Sequence, residues 1–405
     1  MGLLDFFRRT PARDAFADSL LQQIRQRKLA ADCHYDSTKF RIVSGSDGDH
    51  VFSLENVYRD YCAASHTLRE QIVQNCLAAY SQPGMPPVFA DVQASLIPII
   101  RSRRVSDHQR LLGLYEPERA PLVDVWQALG DDAMILLAYD TESSIRTVTQ
   151  AMLAQWGVTF EVALEFAMGN LRDRTPQQLL AMGDGVLMGE WQDSYDSSRL
   201  LLPDLLYRAC QGGEPLVMIP TRGRFLLTSS NNVAGQLKMI ALADKLLQDE
   251  GRYVSSVMYG VQDGKIIACQ PSDAAVLTAL RRFQTTIRAH HYKEQKEEWD
   301  RLHDRTGEDI FVASYLLVQN QESGPVTPVT TWAYRVDTLL PRTDVVVMQV
   351  PDAAGGKSTT KMLAWNDLLA VAGHLMEEVD CYPVRYRVRE FPELQRLEAA
   401  PARQL

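Results

Sequence analysis

The chain has 405 residues, of which 46% are hydrophobic, and its 51 acidic against 42 basic side chains give a net charge of -9. That length and apolar fraction predict two or three packed domains and exclude a disordered chain. No apolar run approaches the roughly 20 residues of a membrane-spanning helix, and the chain lacks the basic stripe that nucleic-acid binding requires.

The first ten residues, MGLLDFFRRT, place bulky apolar side chains beside two arginines. They contain no apolar stretch long enough for a secretory signal, so we expect no export. Weak peripheral contact with a membrane through Leu3, Leu4, Phe6 and Phe7 is one interpretation. The other is a frayed terminus, or a segment that packs on its own domain.

Residues 1–115 are predicted to form an N-terminal region of helices and one hairpin. Phe16, Leu20 and Ile24 recur at helical spacing, and KFRIV and HVFSL flank a turn-rich segment in the manner of two paired strands. From Glu55 to Tyr80 the apolar positions fit one continuous helix.

Residues 116–271 are predicted to form an α+β core domain. Its elements follow the order strand, helix, hairpin, helix, hairpin; PLVMIP and RFLLTSS are joined by the tight TRG, and YVSSVMYG and KIIAC by VQDG. A helix is expected from Asn232 to Gly251. Short hairpin links force antiparallel pairing, so we expect mainly antiparallel sheets with helices packed on one face.

Residues 272–307 are predicted to form one long connecting helix, and residues 308–398 a C-terminal α+β domain. The helix has a polar middle, HHYKEQKEEWD, which is typical of a solvated strut between two domains. In the C-terminal domain we expect four strands and a helix that begins near Asn366 or Asp367. The final LEAAPARQL is expected to be a loose tail.

Four stretches, LIPIIRS, the helix ending in GNLRDRTP, EWQDSYDSSRLL and EPLVMIPTRGRFLLTSSNN, occur in this order between about residues 95 and 270. Together they resemble the YtpQ-like family of uncharacterised bacterial proteins, a domain of unknown function. The resemblance implies a cytosolic bacterial α+β protein and supplies no catalytic residue, substrate or cofactor. The chain differs from the family pattern at Pro203 and in its added C-terminal domain.

The stretch DSYDSSRLLLP at residues 193–203 concentrates carboxylates, hydroxyls and a guanidinium before a leucine run. If Asp196 is the N-cap of a helix, its carboxylate accepts from the free backbone N–H groups of the first turn. Asp193 and Asp196 would then neutralise Arg199 within the loop. Because Pro203 is costly inside a helix, the helix either kinks there or begins there.

A second interpretation makes the same stretch a binding site. Arg199, helped by exposed backbone amides, would bind an anionic group of a ligand or of a partner's acidic side chain. The residues of this site are Arg101, Asp193, Asp196, Ser198 and Arg199, with Arg101 brought in from LIPIIRS by the fold.

A third interpretation is a hydrolase or transferase with its site around Asp193, Asp196, Ser198 and Arg199. No G-x-S-x-G elbow surrounds the serines and no histidine can be placed beside them, so we assign no catalytic residue. The segment VVVMQVPDAAGGKSTTK imitates a phosphate-binding loop, but Pro351 stands where that motif requires its first glycine. A flexible hairpin loop is predicted there instead.

The six cysteines are scattered, with no C-x-x-C pair and no companion histidine spacing. This usage favours reduced thiols in a cytoplasm, and we expect neither a metal site nor a cofactor. The sequence therefore predicts a non-catalytic scaffold that binds another protein or a small anionic ligand, with the hydrolase or transferase as the alternative.

Overall fold

The computed structural model describes residues 11–30, 32–44, 50–80, 85–115, 125–141, 144–176, 178–191, 193–210, 213–319, 326–350 and 359–403. The chain divides into two compact units. The first takes in Met1–Ile97 and Ala138–Ala163, and the second Pro98–Leu137 and Leu164–Leu405. The predicted membrane contact at residues 3–7 and the glycine-rich segment 351–358 lie outside the described residues.

The α-helices of the described residues are α1 Arg13–Gln26, α2 Glu55–Ala63, α3 His66–Tyr80, α4 Phe89–Val92, α5 Arg103–Tyr115, α6 Gln150–Trp156, α7 Phe160–Asp173, α8 Pro203–Ala209, α9 Val233–Glu250, α10 Ala274–Thr306, α11 Trp365–Ala372 and α12 Leu394–Ala399. Short 3-10 helices lie at Gln93–Ser95, Asp196–Leu201 and Gly373–Leu375.

The strands are β1 His34–Asp36, β2 Arg41–Ser44, β3 His50–Ser53, β4 Leu96–Ser102, β5 Gln127–Leu129, β6 Ala133–Thr141, β7 Ser144–Thr147, β8 Leu179–Gly183, β9 Val186–Gly189, β10 Pro215–Met218, β11 Leu226–Ser229, β12 Met258–Gln262, β13 Lys265–Cys269, β14 Phe311–Val312, β15 Leu316–Gln319, β16 Val326–Ala333, β17 Thr338–Pro341, β18 Val345–Val350, β19 Thr359–Ala364, β20 Glu377–Val379 and β21 Arg385–Val388.

In the first unit an antiparallel sheet of β1, β2 and β3 shares a buried core with α1 and α3. The single helix predicted from Glu55 to Tyr80 is wrong, because the chain forms two helices there. Ala64 between them is extended, and Arg69 of α3 donates to the carbonyls of Tyr61 and Cys62 at the end of α2. The guanidinium thus satisfies carbonyls that a continuous helix would have bonded internally.

The second unit contains a six-stranded sheet with the order β13-β12-β10-β11-β9-β8. Its pairings are antiparallel, and both predicted hairpins, β10 with β11 and β12 with β13, are present. Helices α9 and α10 contribute Met239, Ile240, Leu280 and Phe283 to the core cluster that the sheet also lines. Mainly antiparallel sheets with packed helices confirm the predicted α+β class.

The C-terminal part of the second unit has two four-stranded sheets, β14-β17-β21-β20 and β15-β16-β18-β19. Each includes one parallel pair, β14 with β17 and β16 with β18. The loose tail predicted for LEAAPARQL is wrong, because residues 394–399 form α12. Leu397 is fully buried in the core beside Trp332, and the N–H of Arg403 donates to the carbonyl of Met362.

The middle of α10 is not a solvated strut, as its polar sequence suggested. His291, Tyr292 and Gln295 are buried. Gln295 accepts from Nε of the fully buried Arg385 at 2.7 Å and donates to Asp107 of α5 at 3.2 Å. Tyr292 and Gln295 are buried together with hydrogen-bonding partners from distant parts of the second unit, and the hydroxyl of Tyr292 donates to the carbonyl of Val384 at 2.6 Å. The ring of His291 packs edge-on against that of Tyr253.

Candidate functional site

Residues 193–203 form two short elements. A 3-10 helix spans Asp196–Leu201, and α8 begins at Pro203, which occupies the first helical turn. Of the two starts that the sequence left open, the structure has the one at Pro203, where a missing N–H costs nothing. The predicted capping role of Asp196 is wrong: its Oδ1 accepts from the backbone N–H of Trp191 at 3.3 Å and caps no helix.

Arg199 is enclosed by the protein. Its guanidinium donates to both carboxylate oxygens of Asp193, to Oγ1 of Thr175 at 3.1 Å and to the carbonyl of Arg174 at 3.0 Å. The side chain has no exposed surface and lies over the ring of Trp191, 4.3 Å from its centroid. The predicted pairing of Arg199 with Asp193 is confirmed, and this pairing occupies the group that was expected to receive an anion.

The two aspartates of the stretch titrate in opposite directions. Burial opposes ionisation of Asp193, but hydrogen bonds from Arg199 and from the N–H of Tyr195 outweigh it and hold the pKa of this carboxyl below its usual value. Burial raises the pKa of Asp196, and the nearby charge of Asp193 raises it further. Its Oδ2 is buried without a hydrogen-bond partner in the described part of the chain.

The 3-10 helix sorts its side chains onto separate faces, because residues three apart eclipse one another. Asp196 and Arg199 share the face that contacts Trp191. Tyr195 and Ser198 share another face. Tyr195 is buried there and interacts electrostatically with Arg101, and the N–H of Ser197, the residue before Ser198, donates to the carbonyl of Arg222 at 3.3 Å.

Three arginines, Arg101, Arg222 and Arg252, lie near enough to one another for their charges to interact. Burial and the neighbouring charge of Arg222 lower the pKa of Arg101 to about 9, and Arg252 contributes in the same direction. Burial and the charge of Arg252 also lower the pKa of Arg222. Arg101 and Arg222 are half-buried and Arg252 is exposed. We call these three residues the arginine cluster.

Neither Arg101 nor Arg222 forms an ion pair with any residue that the structure describes. Among the described residues, the Arg101 guanidinium donates only to the carbonyl of Ile100, at 2.8 Å. In the part of the chain that the structure describes, the buried Nε of Arg222 has no partner, nor does the buried Oγ of Ser198, a residue only 1% exposed. Buried donors without acceptors are costly, so this group is suited to receive an acceptor from outside the chain.

Backbone contacts bring the arginine cluster together. Arg222 occupies the connection between β10 and β11, and its carbonyl accepts from the N–H of Ser197 at 3.3 Å. The flanking Thr221 pairs with Tyr253, the residue after Arg252. The 3-10 helix, the β10–β11 connection and the segment around Arg252 therefore meet at one place.

Asp132, in the turn between β5 and β6, secures this arrangement. Its buried carboxylate accepts from the hydroxyls of Tyr253 and Ser255, each at 2.6 Å, and from the N–H and hydroxyl of Ser256 at 2.7 and 3.0 Å. Its carbonyl accepts from the N–H of Arg103, two residues after Arg101. Asp132 thus fixes the backbone next to Arg252 and close to Arg101, two members of the arginine cluster.

Of the residues predicted for the site, the fold joins Asp193 with Arg199, whereas Arg101 forms no hydrogen bond or ion pair with the other four among the described residues. Sequence reasoning missed Arg222, Arg252 and Asp132. The TRG turn that contains Arg222 was identified only as a link between strands, and its positive charge was the signal available. Asp132 carried no comparable signal.

Within the described ranges, no group of three or more His, Cys, Asp or Glu side chains could hold a metal ion. No helix in that part of the chain is both long enough and apolar enough to cross a bilayer. Comparison of the chain with protein-family models, curated proteins and solved structures gave no match.

Proposed function

We propose that this chain is a non-catalytic binding protein that recognises an anionic group, on a small ligand or on a partner protein, at the arginine cluster. The observation that carries the proposal is the pair of half-buried guanidiniums, Arg101 and Arg222, together with two buried donors, Arg222 Nε and Ser198 Oγ, that have no partner among the described residues. Two cations held near each other without a carboxylate repel one another, and a bound anion relieves both that repulsion and the lost solvation. Cytoplasmic location in a bacterium is part of the proposal and rests on the cysteine usage and the family resemblance.

The alternative, a hydrolase or transferase around Asp193, Asp196, Ser198 and Arg199, has less support. Both oxygens of Asp193 accept from Arg199, so this carboxylate is not available as a general base. Ser198 lies on a different face of the 3-10 helix from Asp196, and among the described residues no group accepts a hydrogen bond from its hydroxyl as an activating base would.

The proposal is tested by measuring the unfolding temperature of the protein as sulfate is added. At constant ionic strength, sulfate should raise the unfolding temperature of the wild-type chain above its value in chloride, because a ligand that binds the folded state stabilises it. Arg222→Gln should abolish this rise. Arg282→Gln, which removes an exposed arginine of α10, is the matched control and should keep it. Equal unfolding temperatures in sulfate and chloride for the wild type would contradict the proposal.

A further inference from the structure

The charge of the arginine cluster favours a ligand with two negative charges over a ligand with one. Arg101 and Arg222 together carry two positive charges that no described residue neutralises by an ion pair. A carboxylate, with one negative charge, would leave one guanidinium uncompensated, whereas a dianion compensates both. Their long-range field is reinforced by the exposed Arg252.

The donors of the site also match an acceptor with several oxygens. A guanidinium presents its N–H groups in a planar fork that pairs with two oxygens at once, and the cluster offers two such forks. The hydroxyl of Ser198 is an additional donor, because it is buried without a partner among the described residues and follows Ser197, whose N–H donates to the carbonyl of Arg222. A terminal phosphoryl group has three strong acceptor oxygens and nearly two negative charges at neutral pH, whereas a carboxylate has two oxygens and one charge.

We propose that the arginine cluster binds a dianionic phosphoryl group, as inorganic phosphate or as the terminal group of a phosphate monoester, with Arg101, Arg222 and Ser198 as its donors. This inference rests on the proposed anion-binding function and makes it specific. The phosphoryl group is held without bond making or breaking. Two separate forks and a hydroxyl account for selectivity over a carboxylate.

Calorimetric titration of the full chain with inorganic phosphate, phenyl phosphate, sulfate and acetate, at constant ionic strength, tests this. At pH 7.5 phosphate should bind at least about tenfold more tightly than acetate, since one charge-assisted hydrogen bond is worth about that factor. At pH 5.0, below the second pKa of a phosphate monoester, which is about 6, the affinity for phenyl phosphate should fall. Sulfate, a dianion at both pH values, should keep its affinity.

Five variants, of which one is a control, test where phosphate binds. Arg101→Gln and Arg222→Gln should each weaken phosphate binding by about tenfold or more, and Arg282→Gln should not change it. Arg101→Lys and Arg222→Lys keep the charge but lose the fork, so they should bind phosphate more tightly than the glutamine variants and less tightly than wild type. Circular dichroism and unfolding temperature establish that each variant is folded.

The outcomes are distinct. Tighter binding of phenyl phosphate than of inorganic phosphate indicates a phosphate ester as the ligand, and the reverse order indicates free phosphate; both support the inference. Acetate that binds as tightly as phosphate, or phosphate binding unchanged by the glutamine variants, overturns the phosphoryl assignment. If acetate binding is also lost in Arg222→Gln, anion binding at the cluster still stands. If none of the four anions binds, the proposed function fails as well.

Discussion

Arg199 and Asp193 are joined by two parallel hydrogen bonds, Nη1 to Oδ1 at 2.9 Å and Nη2 to Oδ2 at 2.6 Å. The guanidinium has no exposed surface, whereas the carboxylate is 34% exposed. A fully buried cation needs a nearby anion because transfer out of water is otherwise prohibitive. This pair therefore stabilises the folded chain, and the arginine cluster is left as the proposed anion-binding site.

Replacement of Asp193 by asparagine should destabilise the protein strongly. The change leaves Arg199 buried and charged without its counterion, and we expect the free energy of unfolding to fall by about 3 kcal/mol. Urea denaturation measures it. Asp204→Asn is the control, because its ion pair with Arg208 is exposed and should contribute less than about 0.5 kcal/mol. Equal losses in the two variants would contradict the structural role of Asp193.

Asp196 should make the stability depend on pH in the sense opposite to Asp193. Because the pKa of Asp196 is raised by folding, its favourable contribution is complete below the usual aspartate value of about 3.9 and is lost as pH rises through the higher folded value. Asp196→Asn cannot ionise, so its stability relative to wild type should improve between pH 4 and pH 7. Urea denaturation at both pH values gives the comparison, and a constant difference would refute it.

For Asp193 the same linkage has the other sign. Its pKa is lowered by folding, so the stability it contributes is present above about 3.9 and disappears as pH falls through the lower folded value. The penalty of Asp193→Asn should therefore shrink in strong acid.

Asp132 is expected to matter for both stability and binding. Asp132→Asn places an amide donor where the carboxylate accepts from Tyr253 and Ser256, and we expect a loss of about 3 kcal/mol because buried donors are left unpaired. The affinity for phosphate should fall too, because the backbone near Arg101 and Arg252 loses hydrogen bonds that hold it in place. Asp131→Asn, one residue earlier and exposed, should leave both quantities unchanged.

Pro203 provides a test of where α8 begins. In the first helical turn proline loses no hydrogen bond, so Pro203→Ala should change the free energy of unfolding by less than about 1 kcal/mol. Were the proline inside a helix that started at Asp196, its removal would stabilise the protein by about 3 kcal/mol. Thermal and urea unfolding of the single variant distinguish these values.

The parts of the fold that sequence analysis predicted are those governed by neighbours in the chain. The hairpin of β10 and β11 follows from two apolar runs separated by a tight turn. Helix α9 has Asn232 as N-cap and ends at Gly251, as expected, because both capping preferences are local.

The burial of α10 shows the limit of such reasoning. Its middle is polar by composition, yet Gln295 and Tyr292 are buried because Arg385, some 90 residues later, donates to both. Hydrophobic periodicity predicts which apolar side chains of a helix are buried. It does not predict the burial of polar groups whose hydrogen-bonding partners are distant in the sequence.

By itself the sequence determined the α+β class, the local caps and hairpins, and the concentration of charged and hydroxyl groups at residues 193–203. Only the tertiary structure decided which of those groups are paired within the protein and which can bind a ligand. Asp193 neutralises Arg199 within one loop, whereas the charge of Arg101 is affected by Arg222 and Arg252, and Asp132 accepts from donors 121 to 124 residues away. Charge compensation depends on distances in space, and no spacing along the chain reports them.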